Sequence, residues 1–239
     1  VTGVQTCALP ILNKRHNAIR LYEILGDDSG FITSIPIQKK NSNRYSVFVN
    51  DRFIIGVSDS CLVQLNLKKG DLLNQKKLDE IEQYEERWAV REYLFRLLGI
   101  RDHATFELKQ KAIKKGFNGA YVDEILIELE KKGYINNAQF ARKFARDKFK
   151  FNNWGTQKIR VELMKKGIQS NDINIALDLI GVDEQILKMD HLYEKSRPKF
   201  QRAEPEKRKK KIFDFFIRKG YDSDQILSAI PKWLNDLES

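Results

Sequence analysis

The chain has 239 residues, 41% hydrophobic and 32% charged, enough apolar material for a core in one or two domains. Its net charge is +10 and its mean hydropathy −0.52, and no run approaches the ~18 apolar residues of a membrane span. The basic excess favours polyanionic partners or acidic protein surfaces, and two distant cysteines, Cys7 and Cys61, fit a reduced, cytoplasmic compartment and not a disulfide scaffold.

Val1–Ile11 begins without Met, lacks periodicity and has no charged region of the signal-peptide kind. It reads as sequencing-adapter read-through, an artefactual or disordered tail, and is set aside with Cys7. Residues 12–73 are expected to form a small β-rich module. Phe31–Ile37 alternates, Lys39–Asn43 is a polar turn, and Arg44–Val49 and Arg52–Val57 flank Asn50-Asp51 as a hairpin. Pro36 places its strand at an edge or an end. Ser58-Asp59-Ser60 caps a short helix through Leu65, and Lys68-Lys69-Gly70-Asp71 closes the module.

From about Asn74 the pattern is helical, with Leu78, Ile81, Tyr84, Trp88 and Leu94 near a 3.6-residue period. The helical part repeats. Lys115-Gly116, Lys166-Gly167 and Lys219-Gly220 lie roughly 50 residues apart, and aligning the glycines aligns the apolar positions. Eight residues before stand Leu108, Ile159 and Ile212; four before, Ala112, Leu163 and Phe216; three before, Ile113, Met164 and Ile217. Six after stand Val122, Ile173 and Ile226; ten after, Leu126, Leu177 and Ile230; thirteen after, Leu129, Ile180 and Trp233. Each unit is therefore a helix, a Lys-Gly cap and a second helix, with a further helix ahead. Thr105 and Thr156 are expected as N-caps, and Pro198 and Pro205 as interruptions of the third unit. The predicted fold is mainly α: tandem three-helix repeats in an elongated curved array behind the β-rich module. Residues 74–137 hold a linker helix and the first repeat, 138–183 the second and 184–239 the third.

Charge follows the repeat. Ala138–Ser170 is strongly basic, Asn171–Glu194 acidic, and Lys195–Lys219 basic again, with the run Lys207-Arg208-Lys209-Lys210-Lys211. For any one lysine a solvated helix surface suffices; the cluster as a whole reads as a binding surface. Its candidate contact residues are Arg142, Arg146, Lys150, Trp154, Lys158, Arg160, Lys165 and Lys166. The helical spacing of Phe140 and Phe144 points to core packing, whereas Trp154, in the turn Asn152–Gly155, is the aromatic candidate for surface contact.

Catalytic chemistry is not assembled. Phosphate-cradling glycine loops are missing, His16, His103 and His191 stand singly, and Cys61 has no evident histidine partner. Asp27-Asp28-Ser29-Gly30 reads as a turn and Asp222-Ser223-Asp224 as a cap. No cofactor or metal is expected, and the chain is not read as an enzyme.

Thr105–Lys109 through Lys115-Gly116-Phe117, Gly133–Asn137 with Phe140-Ala141, and Trp154-Gly155 followed by Lys158–Leu163 and Lys166-Gly167-Ile168 resemble, in order and spacing, the RecX family of bacterial recombinase regulators. Gln38–Asn41 and Asn43-Arg44-Tyr45 are similar to the N-terminal extension of longer members. Asn137 departs from the family's usual acidic residue and Thr156-Gln157 from a frequent basic one. The resemblance implies a cytoplasmic monomer that binds RecA in the groove of the RecA–single-stranded DNA filament. It also implies restraint of the filament's ATPase, strand exchange and coprotease activity, in DNA repair, homologous recombination and the SOS response. The candidate residues above would then contact the filament or DNA. The alternative is a helical repeat protein that acts by occupying DNA directly. A third reading is a scaffold for an unrelated partner. Deleting Val1–Ile11 is expected to leave stability within about 1 kcal/mol of the parent chain in urea unfolding, a larger loss contradicting its exclusion from the core.

Overall fold

The computed structural model describes residues 20–39 and 41–238; the expected tail, Cys7, His16 and Lys40 lie outside them. Asn50 and Asp51 hold φ of 47° and 61°, the left-handed pair that a two-residue hairpin turn requires. They join β3 (Asn41–Val49) to β4 (Arg52–Ser58) in the expected hairpin. The other edge of β3 pairs antiparallel with β1 (Ser29–Ser34) and then β2 (Ile37–Gln38), which are parted at Pro36. The Pro36 carbonyl still accepts a hydrogen bond from the Ser46 amide at 2.9 Å, so the proline marks a break between strands. The expected turn is shorter than read, because β3 already begins at Asn41. Ser29 and Gly30, read as part of a turn, belong to β1. Two elements were not anticipated: α1 (Leu21–Leu25) and β5 (Leu72–Asn74), the latter paired with β1. Neither is long enough to show a period.

The Ser58 Oγ accepts from the Cys61 amide and starts α2 (Asp59–Gln64), as expected; Asn74 caps α3 (Gln75–Leu98) in the same way. Ile32, Val47, Val49, Val57, Leu73, Leu78 and Ile81 form the core of the module. At its edge, the nearly buried Arg44 pairs with Glu85 of α3 at 2.9 Å, donates to the Gly56 carbonyl and lies over Trp88. Glu85 also accepts from the Ser58 amide and hydroxyl, so one carboxylate ties sheet, α2 and α3 together.

The helices that follow are α4 (Thr105–Lys115), α5 (Gly119–Lys131), α6 (Asn137–Asn152), α7 (Thr156–Lys165), α8 (Ser170–Asp178), α9 (Val182–Gln201), α10 (Pro205–Lys219) and α11 (Ser223–Glu238). The chain forms two compact units: one runs through Gly99 and includes Lys109–Glu128, and the other holds Ile100–Leu108 and the chain from Leu129 on. In the first, α5 packs on α3 with Arg87 paired to Glu124 and Arg91 to Glu128. In the second, Phe140, Ala145, Phe149, Ile159, Leu163, Ile173 and Leu177 make one core. Tyr193, Phe200, Phe216, Tyr221 and Trp233 make another, with Trp233 stacked 5.0 Å from Tyr193 and 4.8 Å from Phe216.

The three cap glycines behave as the repeat predicts, at φ 97°, 72° and 84° for Gly116, Gly167 and Gly220. The aligned apolar positions are buried with one exception. The set three before the glycine is exposed: Ile113 at 44%, Met164 at 58% and Ile217 at 41%. Adjacent helical residues diverge by about 100°, so this position cannot share the inward face of the one before it. Pro198 does not interrupt α9, which continues to Gln201 because the buried Phe200 beyond it packs on Tyr193 and Phe215. Pro205 starts α10, where a missing amide costs nothing.

Thr105 and Thr156 are the first residues of their helices and not N-caps. Each reaches instead toward the next first helix: Asn137 bonds the Thr105 amide and hydroxyl, and the Thr156 hydroxyl donates to Gln185. The α7 N-terminus begins at Gly155, which has no side chain to cap with. Its amide donates to the Lys219 carbonyl at 2.8 Å and the Gln157 amide to the Gly220 carbonyl at 3.0 Å. The end of α10 thereby caps the start of α7. A Cβ on Gly155 would lie 2.2 Å from the Gly220 oxygen, and one on Gly220 2.3 Å from the Lys158 Cβ.

Gly155 has φ −75° and ψ 165°, a conformation open to any residue. Gly155→Ala therefore tests the contact alone and is expected to cost about 1–3 kcal/mol or more by urea unfolding. Gly70→Ala, at φ +90° with nothing within 4 Å, tests the backbone alone and should cost about 1–2 kcal/mol. An unchanged midpoint for Gly155→Ala would mean that α7 and α10 do not meet in this way.

Candidate functional site

Asn136 caps α6 by accepting from the Gln139 amide, and Asn153 ends it in the left-handed region at φ 55°. With Phe140, Ala141, Ala145 and Phe149 turned inward, Arg142, Lys143, Arg146 and Lys150 point to solvent. Among the described residues no carboxylate pairs with Arg142, Arg146 or Lys150; Lys143 pairs with Asp102 at 2.7 Å.

The other candidate residues divide differently. Arg160 donates to Asn174 at 2.7 Å and Lys165 pairs with Glu162 at 2.8 Å. Lys166 is held by Glu107 at 2.6 Å, both side chains largely shielded, and its ammonium lies 5.4 Å from the Phe144 ring. Burial works against the Glu107 charge, but Lys166 and Arg101 outweigh it and hold the carboxyl at about 2. Lys166 is thus part of the joint that sets Gly167 against Phe106, and is not a free contact residue. Trp154 is half-buried, edge-on to Phe144, with the Lys148 and Lys158 ammoniums 5.2 and 4.7 Å from its ring.

Two further cations belong with Lys158. Lys199 and Lys219 lie 5.5 and 5.4 Å from the Phe215 ring. Burial, followed by repulsion from Lys158 and Lys199, pulls Lys219 below the ordinary lysine value. Both fall in the basic block Lys195–Lys219 seen in the sequence, but neither stands out there as a contact residue, since Lys219 also fits a helix cap.

Other chemically capable groups are held quietly. Burial, then Glu85, pushes the Cys61 thiol up to about 12, far from a nucleophile at neutral pH. His103 is buried, with Nδ1 2.9 Å from the Arg101 carbonyl. Among the described residues no cluster of His, Cys, Asp and Glu could hold a metal ion, and no helix is long and apolar enough to cross a membrane.

Fold and site together define a mainly helical protein of successive three-helix domains behind a small antiparallel sheet, with cationic side chains concentrated on the second and third domains. The family model for the regulatory protein RecX N-terminal domain matches residues 30–74, that for the RecX second three-helix domain residues 136–177, and that for the third residues 183–230. The chain belongs to the RecX family of regulatory proteins. It is 27% identical over 206 residues to regulatory protein RecX of Clostridioides difficile (strain 630), covering 86% of this chain and 97% of that one. It is 28% identical over 204 residues to regulatory protein RecX of Oceanobacillus iheyensis, covering 83% and 75%. A crystal structure of regulatory protein RecX shares the fold at TM-score 0.70 and 22% identity, over 82% of this chain and 96% of that one. RecX from Lactobacillus salivarius shares it at 0.57 and 23%, over 63% and 97%.

The Glu107 joint has a pH signature. Its folded value, about 2, lies below the ordinary 4.5, so the folded state holds the proton less tightly than the unfolded one. The stabilisation is full above about 4.5 and lost as pH falls through about 2. Glu107→Gln is expected to lower stability at pH 7 and to flatten that part of the acid profile, measured by urea unfolding at successive pH values. Parallel profiles for the two proteins would contradict the pairing.

Proposed function

We propose that the chain works without catalysis, as a cytoplasmic monomer that binds RecA or the RecA–single-stranded DNA filament and restrains its ATPase, strand exchange and coprotease activities. The observation that carries this reading is the ordered succession of RecX domains matched over residues 30–74, 136–177 and 183–230. The unpaired outward cations of α6 support it, since Arg142, Arg146 and Lys150 suit a surface of acidic side chains and phosphates. Trp154 and Lys158 extend that surface, as do Arg160 and Lys165, whose bonds to Asn174 and Glu162 are exposed; Lys166 is held by Glu107 in a shielded pair. A second reading, direct occupation of DNA, draws on the same cations.

Titrating the protein against RecA's DNA-dependent ATPase tests the reading. Inhibition is expected, weakened roughly tenfold by reversing Arg142 and Arg146 to Glu while helical content is unchanged, and weakened by salt. With RecA and this protein fixed, added bare double-stranded DNA is expected to leave most of the inhibition in place. Inhibition that tracks the ratio of this protein to total DNA and ignores RecA contradicts filament binding and favours DNA occupation.

A further inference from the structure

Two joints at corresponding places in the repeat carry opposite electrostatics. Glu107 and Lys158 both stand nine residues before their cap glycine, in the first turns of α4 and α7; Lys166 and Lys219 both stand one residue before. Where α7 ends against α4, Glu107 meets Lys166 in a shielded ion pair. Where α10 ends against α7, Lys158 occupies the position of Glu107 and meets Lys219, with Lys199 of α9 alongside. A lysine in a helix's first turn opposes the macrodipole as well as its neighbours. Elsewhere Lys109, Lys143 and Lys232 each have a carboxylate within 3 Å, whereas among the described residues none pairs with these three.

We propose that Lys158, Lys199 and Lys219 bind the phosphodiester backbone of single-stranded nucleic acid at this joint, a phosphate taking the place that the Glu107 carboxylate fills in the other. Aromatic rings favour this ligand over an acidic protein segment. Trp154 lies beside Lys158, and Phe215 beside Lys199 and Lys219. Single strands use both kinds of group, phosphates to the cations and base faces to the rings, while an acidic segment would use the cations only. Because the three lysines come from α7, α9 and α10, a bound phosphate also ties the second three-helix domain to the third. The inference does not depend on RecA binding, and its test contains no RecA.

The test is fluorescence anisotropy of a labelled oligo(dT) with the full chain, alongside thermal melting. Lys158→Glu rebuilds the other joint's ion pair, so it is expected to weaken oligo(dT) binding at least tenfold and to raise the melting temperature. Changing Lys158, Lys199 and Lys219 together to Gln is expected to lower the salt slope of binding by about 2, at roughly 0.7 per phosphate contact. The corresponding Arg variant should retain binding. Three outcomes overturn the proposal: Lys158→Glu that binds normally or melts lower; an equal loss when the exposed Lys131, Lys209 and Lys210 are changed to Gln; or poly-glutamate displacing the protein as well as unlabelled oligo(dT) at matched charge.

Discussion

The carbonyls of Lys219 and Gly220 occupy the amides that open α7, and much of the second compact unit follows from that contact. A helix start leaves donors exposed and a helix end leaves acceptors exposed. Here the two deficits cancel, so Gly155 needs no capping side chain and cannot tolerate one. The left-handed turn at Gly220 is what swings its carbonyl outward to serve the next helix.

One repeat earlier, the corresponding helix end and start meet through side chains. Gly167 sits against Phe106, Lys166 against Glu107, and Asn137 takes the Thr105 amide that a cap would otherwise take. At the second joint the Thr156 hydroxyl, and not its amide, donates to Gln185. Among the described residues, the backbone bonds of the α10–α7 joint have no counterpart between α7 and α4, which side chains hold instead. One joint uses its charged position for an internal ion pair. The other gathers Lys158, Lys199 and Lys219 beside Trp154 and Phe215, where a phosphate is proposed to bind.

Much of this was legible in the sequence. The Lys-Gly spacing found the caps and the inward positions eight and four before each glycine, because a 3.6-residue period and a positive-φ glycine leave local marks. The exposed Ile113, Met164 and Ile217 were misread, since hydrophobicity alone does not say which side of a buried residue its neighbour faces. The joints were not legible at all. Gly155 and Gly220 are 65 positions apart, and nothing local to either announces a partner. For the candidate site, sequence found the basic cluster of α6 and α7. It could not separate Arg142 and Arg146, which face solvent, from Lys166, which holds the fold together, and it missed Lys199 and Lys219.

The central claim is that α10 caps α7 through its backbone. Native-state hydrogen exchange of the Gly155 and Gln157 amides reads that contact directly in the intact chain. Protection comparable to that of the Phe216 amide in the third domain's core is expected, because α10 is held to leave α7 only when it unfolds. Exchange at the pace of a fraying first helical turn, with Phe216 still protected, would contradict it.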